Sequence, residues 1–135
     1  MVVEALKAAE VMSRLHGIEL EVIDIRTTDG PWTVLGDSVI KTKHCIVADY
    51  DWVKGGLACD IAQSMYHVAF GILKQPVFKI GFKHEHCPTA RHLEDNFYPN
   101  AVDIIRAGEK LLRLSKQDLS GEEFYSYENK FKGPF

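Results

Sequence analysis

The stretch His44-Cys45-Ile46-Val47-Ala48, followed by Gly55-Gly56 and a helical segment over residues 57–73, decides the fold. Its three central residues form a short apolar run that favours a buried strand, and the glycine pair ends the loop before the helix. Residues 77–81, which come directly after Pro76, have the composition of a second strand. A strand, a helix and another strand in this order predict two parallel strands joined by a crossover helix.

Further elements continue this alternation on both sides. Residues 2–16 predict a helix that ends at Gly17, because its apolar side chains recur at intervals of three and four. The alternating apolar and polar residues 19–26 predict another strand, and residues 32–41 and 100–114 predict two more helices. The resulting order predicts an α/β fold, a three-layer α/β/α domain with a mostly parallel sheet.

The first predicted helix lacks a sequence signal for its beginning. No Ser, Thr, Asp or Asn precedes it, although such residues usually cap the first turn of a helix. Three predicted strands also make a thin sheet, since four to six are usual. We therefore expect the sheet to lack its first strand or strands, and further sequence to belong in front of Met1.

The composition changes after residue 114. Residues 1–114 are predicted to form the α/β domain, and residues 115–135 an aromatic, polar C-terminal tail. Low aliphatic content in this tail favours disorder, whereas its aromatic density favours docking on another surface. Both interpretations stay open for the tail.

Length, charge and cysteine content exclude several classes of protein. The chain has 135 residues and a formal net charge of −3, which suits one domain and argues against a nucleic-acid partner. Its apolar runs are shorter than the roughly 20 residues that a membrane-spanning helix needs. Three widely spaced cysteines indicate free thiols in a reducing compartment, either the cytoplasm or the mitochondrial matrix.

Polar residues follow the predicted strands and make a candidate ligand rim. Ligands of open parallel sheets bind beyond the carboxyl ends of the strands. The same composition is also typical of any exposed loop edge, and this alternative stays open. The candidate rim consists of Asp49, Asp51, Lys83, His84 and His86.

Other motifs predict neither a metal site nor a catalytic site. His84, His86, Cys87 and His92 lack a second Cys or His pair at zinc-finger spacing. Cys87 has His and acidic neighbours in sequence, whereas a cysteine nucleophile needs them held near it in space. The Gly55-Gly56 pair before a helix is too short to be a phosphate-binding fingerprint.

Several stretches of the sequence form a characteristic series when they are taken in order. They are Glu4-Ala5-Leu6-Lys7-Ala8-Ala9-Glu10, Gly17-Ile18-Glu19-Leu20-Glu21-Val22-Ile23-Asp24-Ile25-Arg26-Thr27, Ser38-Val39-Ile40-Lys41-Thr42, Gly55-Gly56 with Ile61, Gln75-Pro76-Val77, Leu93-Glu94 with Tyr98-Pro99, and Asp103-Ile104. This series resembles the C-terminal domain of the transketolase family over residues 3–107. The resemblance is strongest to the beta subunits of thiamine-diphosphate-dependent 2-oxo acid dehydrogenases of the pyruvate or branched-chain type.

The resemblance implies an assembly domain without catalytic residues. In that family, thiamine diphosphate and magnesium lie between two other domains, so this chain is expected to bind neither. The implied partners are the remainder of the same enzyme and its alpha subunit, in a dimer or higher oligomer, and they can include the acyltransferase core. The candidate partner interface consists of Arg91, Glu94, Asp95, Phe97, Tyr98, Phe124, Tyr127 and Phe131.

Two alternative functions stay open. The chain could be a stand-alone α/β module that binds a small ligand at the rim. It could also be the same domain from a transketolase or a pyruvate–ferredoxin-type enzyme. For Phe97 and Tyr98, burial inside the domain core is the competing interpretation.

Overall fold

The computed structural model describes residues 1–82, 86–89 and 97–124. These residues form four helices and two strands. The elements are α1 (Val2–His16), α2 (Trp32–Thr42), β1 (Ile46–Trp52), α3 (Leu57–Val68), β2 (Phe78–Phe82) and α4 (Ala101–Leu112). No helix in these ranges is long and apolar enough to cross a membrane.

Strands β1 and β2 lie side by side in parallel, with helix α3 as the crossover between them. Ile46 pairs with Phe78 and Ala48 pairs with Ile80, and the register becomes irregular between Ala48 and Trp52. The strand–helix–strand unit that the sequence predicts is therefore confirmed.

Helices cover both faces of this sheet. One core cluster joins α1 and α4 to the face that carries Ile80, and its most deeply buried members include Val11, Met12 and Ile105. A second core cluster joins α2 and α3 to the opposite face, around Val47. The α/β fold class is confirmed, because the sheet lies between two helical layers.

The strand predicted over residues 19–26 is wrong. These residues form no strand, and among the described residues only β1 and β2 pair. Their apolar side chains are nevertheless partly buried: Leu20 packs against the α1–α4 cluster, and Ile23 and Ile25 pack against the α2–α3 cluster. Alternation along a sequence reports which side chains face the protein, whereas a strand also needs a hydrogen-bonded neighbour.

Several element ends differ from the prediction. Strand β1 continues to Trp52 instead of ending at residue 48, and β2 runs from Phe78 to Phe82. Helix α3 ends at Val68, five residues earlier than predicted, and Gly71 soon afterwards has a positive φ of 75°. Helix α1 agrees with the prediction, including the absence of a side-chain cap and a left-handed Gly17 at its end.

The segment that follows α4 packs against the domain as far as Phe124. Leu119 is buried in the α1–α4 cluster, and Phe124 packs against the same cluster. Arg14 of α1 also forms an ion pair with Glu122. The remaining residues, 125–135, lie outside the described part of the chain, and they include the predicted interface residues Tyr127 and Phe131.

A buried carboxylate holds this segment to both helices. Glu109 of α4 accepts hydrogen bonds from the Gln117 backbone N–H at 2.9 Å, from Arg106 at 2.7 Å and from His16 Nε2 at 3.1 Å. Burial raises the pKa of Glu109, but these three donors together outweigh it, so the pKa is lowered from its usual value. Glu109 therefore stays ionised although it is buried.

Candidate functional site

Aromatic rings collect at the carboxyl edge of the sheet. Along the end of β1, Tyr50 and Trp52 alternate with Asp49 and Asp51. Tyr50 is 41% exposed and Trp52 is 39% exposed. Phe82 ends β2, and Phe97 and Tyr98 come from the chain that precedes α4. We call these five aromatic residues the aromatic cluster.

The rings of the aromatic cluster contact one another closely. Phe82 stacks on Phe97 with the ring centroids 4.7 Å apart, and its ring meets those of Tyr98 and Trp52 edge to face at 5.4 and 5.9 Å. Tyr50 reaches Tyr98 at 6.0 Å. These distances lie in the range of favourable aromatic pairs, so the rings hold one another in place. The result is an ordered aromatic surface, with Tyr50, Trp52 and Tyr98 partly open to solvent.

Two members of the candidate ligand rim are occupied by local hydrogen bonds. Asp49 accepts from the backbone N–H of Tyr50, and Asp51 accepts from that of Trp52, both at 2.7 Å. The other carboxylate oxygen of Asp51 lies against Gly56, at the start of α3. His86 is exposed, and the predicted rim residues Lys83 and His84 lie outside the described residues.

The described residues of the candidate partner interface lie in two different places in the structure. Phe97 and Tyr98 lie in the aromatic cluster, with Tyr98 40% exposed, whereas Phe124 packs against the α1–α4 core. The other predicted members lie outside the described residues: Arg91, Glu94, Asp95, Tyr127 and Phe131.

Trp52 and Phe82 belong to this surface although the sequence does not predict them there. The sequence predicts a loop after residue 48, whereas Tyr50-Asp51-Trp52 continues the alternation of a strand. That alternation was the available signal, because side chains two apart on a strand share one face. The contacts of Phe82 with Trp52 and with Tyr98 depend on tertiary structure.

The cysteines differ in their surroundings. Burial raises the pKa of Cys45 to about 11. Cys59, in the first turn of α3, lies 3.1 Å from Lys79 Nζ, and the pKa of this thiol is lowered, mainly by the hydrogen bond from Lys79. Cys87 is exposed and lies 3.9 Å from the Tyr98 hydroxyl. Within residues 1–82, 86–89 and 97–124, no three His, Cys, Asp or Glu side chains converge as metal ligands do.

The fold and the aromatic cluster together define the class of protein. It is an α/β domain that presents aromatic rings at the described carboxyl edge of its sheet. The family description "Transketolase, C-terminal domain" matches residues 1–104. The chain therefore belongs to the transketolase C-terminal domain family, and the resemblance is confirmed.

Several curated relatives are mitochondrial pyruvate dehydrogenase E1 component beta subunits. The protein of Bos taurus is 37% identical over 112 residues, which are 81% of this chain and 31% of the relative. The protein of Homo sapiens is 35% identical over 111 residues, with 81% and 31% covered. The protein of Pisum sativum is 34% identical over 118 residues, with 85% and 32% covered. The chain thus spans about a third of the length of these relatives.

Proposed function

We propose that this chain is the C-terminal assembly domain of a thiamine-diphosphate-dependent 2-oxo acid dehydrogenase of the pyruvate dehydrogenase E1 beta type. In this proposal the whole enzyme decarboxylates a 2-oxo acid and passes the acyl group to a lipoyl carrier, and this domain contributes contacts between subunits. The similarity to E1 beta subunits over 81% of the chain supports the enzyme class. The names of those relatives also support the mitochondrial matrix as its location.

The aromatic cluster is the observation that carries the assembly role. Tyr50, Trp52 and Tyr98 are each exposed by about two fifths (39–41%). Tyr50 contacts Tyr98, and the ring of Phe82 lies between Trp52 and Tyr98 and contacts both. Partly exposed tyrosine and tryptophan side chains in one ordered patch are typical of the centres of protein interfaces. The proposed partners of this patch are the remainder of the enzyme and its alpha subunit.

Two substitutions of an aromatic residue by alanine test the assembly role. Tyr98→Ala removes a ring from the centre of the aromatic cluster, and Phe70→Ala removes a ring that is 86% exposed after the end of α3. In the beta subunit mixed with its alpha subunit, we expect Tyr98→Ala to weaken association and Phe70→Ala to leave it unchanged, as measured by light scattering after size exclusion. Equal association of both variants with the alpha subunit would contradict the assembly role of the cluster.

Calorimetry separates the assembly role from a cofactor-binding role. The proposal places thiamine diphosphate and magnesium in the remainder of the enzyme. Titration of thiamine diphosphate with magnesium into the 135-residue chain is therefore expected to give no binding heat. Tight binding to this chain alone would refute the non-catalytic assignment.

A ligand screen tests the alternative small-molecule module. Ligands that bind only the folded state raise the melting temperature. The screen uses nucleotides, phosphates and oxo acids. A ligand that stabilises the chain but not its Asp49→Asn or Asp51→Asn variant would favour the ligand rim over the assembly role.

A further inference from the structure

Cys59 and Lys79 bring two reactive groups from different elements into contact. Cys59 is the third residue of α3, and Lys79 is the second residue of β2. The Lys79 Nζ lies 3.1 Å from the Cys59 Sγ. The sulfur also lies 3.2 Å from the carbonyl oxygen of Val53, to which the protonated thiol donates.

The surroundings of Cys59 favour its thiolate form. The hydrogen bond from Lys79 lowers the pKa of Cys59 most, and a backbone N–H from Gly55 lowers it further. Burial and the charge of Asp60 oppose this shift without reversing it. A thiolate is the nucleophilic form of cysteine, so the lowered pKa of Cys59 favours its reactive form.

We propose that hydrogen peroxide links Cys59 to Lys79 through a covalent sulfur–nitrogen bond. In the first step, the thiolate attacks one peroxide oxygen, and the O–O bond breaks. The products are a sulfenic acid on Cys59 and a hydroxide, which takes a proton from the Lys79 ammonium and leaves as water. In the second step, the lone pair of the Lys79 amine attacks the sulfur and the S–O bond breaks. The leaving hydroxide takes a proton from the nitrogen, so one thiolate, one ammonium and one peroxide give a sulfenamide and two water molecules.

The order of these steps follows from the proton balance of the pair. An ammonium nitrogen has no lone pair and cannot attack, so Lys79 reacts only after it loses a proton. Oxidation of Cys59 supplies the hydroxide that takes this proton, and it also makes the sulfur electrophilic. Lys79 therefore becomes a nucleophile only after Cys59 has become an electrophile, and the amine already lies beside the sulfur.

The consequence is a reversible cross-link between the start of α3 and strand β2. These two elements border the aromatic cluster, since β2 ends at Phe82 and α3 follows the loop after Trp52. Such a bond restricts the unfolded chain and fixes the carboxyl edge. A thiol reductant reverses it, because thiolates attack electrophilic sulfur.

Peptide mapping of the peroxide-treated chain tests the proposal. We expect a linked pair of peptides that contains Cys59 and Lys79, lighter by two hydrogens than the sum of the free peptides and absent after treatment with dithiothreitol. Unlinked Lys79 in samples whose Cys59 is oxidised would overturn the proposal, as would a linked pair that retains the peroxide oxygen.

Three variants distinguish this bond from general oxidation. Lys79→Arg keeps a positive charge beside the sulfur but removes the amine, so it is expected to lose the linked peptide and to gain labelling of Cys59 by the sulfenic-acid reagent dimedone. Cys59→Ser is expected to lose both signals. Cys87→Ser removes the exposed thiol and is expected to keep the linked peptide. Persistence of the linked Cys59 peptide in Lys79→Arg would assign the bond to another amine and refute the proposal.

Discussion

The carboxylate of Glu109 offers the sharpest test of what holds the domain together. Its Oε2 accepts from Arg106, and its Oε1 accepts from His16 and from the backbone N–H of Gln117. One side chain of α4 thus joins the end of α1 and the segment that follows α4. We expect Glu109→Gln to lower the free energy of unfolding, although the side chain keeps nearly the same volume.

The size of this effect follows from the hydrogen bonds that are lost. The glutamine carbonyl can still accept at the Oε1 position, whereas its NH₂ group faces the donating N–H of Arg106. A hydrogen bond to a charged group contributes about 1.5–3 kcal/mol. The Arg106 side chain is 34% exposed and can turn to water, so we expect a loss of about 1–2 kcal/mol in the free energy of unfolding. Glu109→Ala also leaves His16 and the Gln117 N–H without their acceptor, and we expect a loss of about 3–5 kcal/mol.

Urea unfolding followed by far-ultraviolet circular dichroism measures this difference. The matched control is Glu10→Gln, the same chemical change in an exposed i,i+3 pair whose Lys7 nitrogen lies 3.2 Å away. An exposed pair of this kind contributes less than about 0.5 kcal/mol. If Glu109→Gln and Glu10→Gln lower the free energy of unfolding equally, the three contacts of Glu109 do not stabilise the fold as reasoned.

The remaining predictions concern pH, a helix cap and a close approach of the backbone. The pKa of Glu109 is lowered in the folded state, so the ionised carboxylate stabilises the fold fully above its unfolded pKa of about 4.3 and loses this effect as the pH falls through the lower, folded pKa. The difference in free energy of unfolding between the wild type and Glu109→Gln should therefore become smaller in acid. A difference that grows as the pH falls would contradict this sign. Asn100→Ala removes the acceptor of the Val102 N–H at the start of α4 and should cost about 1 kcal/mol in the same urea assay, whereas an unchanged midpoint would argue against the cap. Gly56→Ala places a Cβ against the carbonyl oxygen of Trp52. The Cβ of Gly17→Ala meets no neighbouring atom, and this substitution adds only the strain of a left-handed φ of 64°, about 1–2 kcal/mol. Gly56→Ala should therefore lower the melting temperature more than Gly17→Ala does, and the opposite order of melting temperatures would refute this comparison.

Local chemistry made much of the fold predictable. Helix α1 needs only its apolar spacing and Gly17, and the β1–α3–β2 unit needs only an apolar run, a glycine pair and a second apolar run. These features act within a few residues, so a sequence displays them directly. The end of α3 was harder to place, because residues 69–73 remain apolar after the helical hydrogen bonds end.

The candidate site was less predictable from the sequence. The sequence predicts Tyr98 as an interface residue but not Trp52 or Phe82, since the contacts of Phe82 with Trp52 and Tyr98 join residues that are distant in the chain. Buried Glu109 shows the same limit, because its partner His16 lies 93 positions away in the sequence. Hydrophobic pattern alone would place a glutamate on the surface.

The sequence by itself determined the helices, the parallel strand pair and the family, because periodicity, turn residues and ordered motifs are local properties. Tertiary structure alone decided that residues 19–26 pack without pairing, since a strand exists only where another backbone supplies its hydrogen bonds. It also decided which side chains meet: the aromatic cluster at the carboxyl edge, Glu109 with its three donors, and Cys59 with Lys79. Each of these depends on distances between elements that the chain brings together only when it folds.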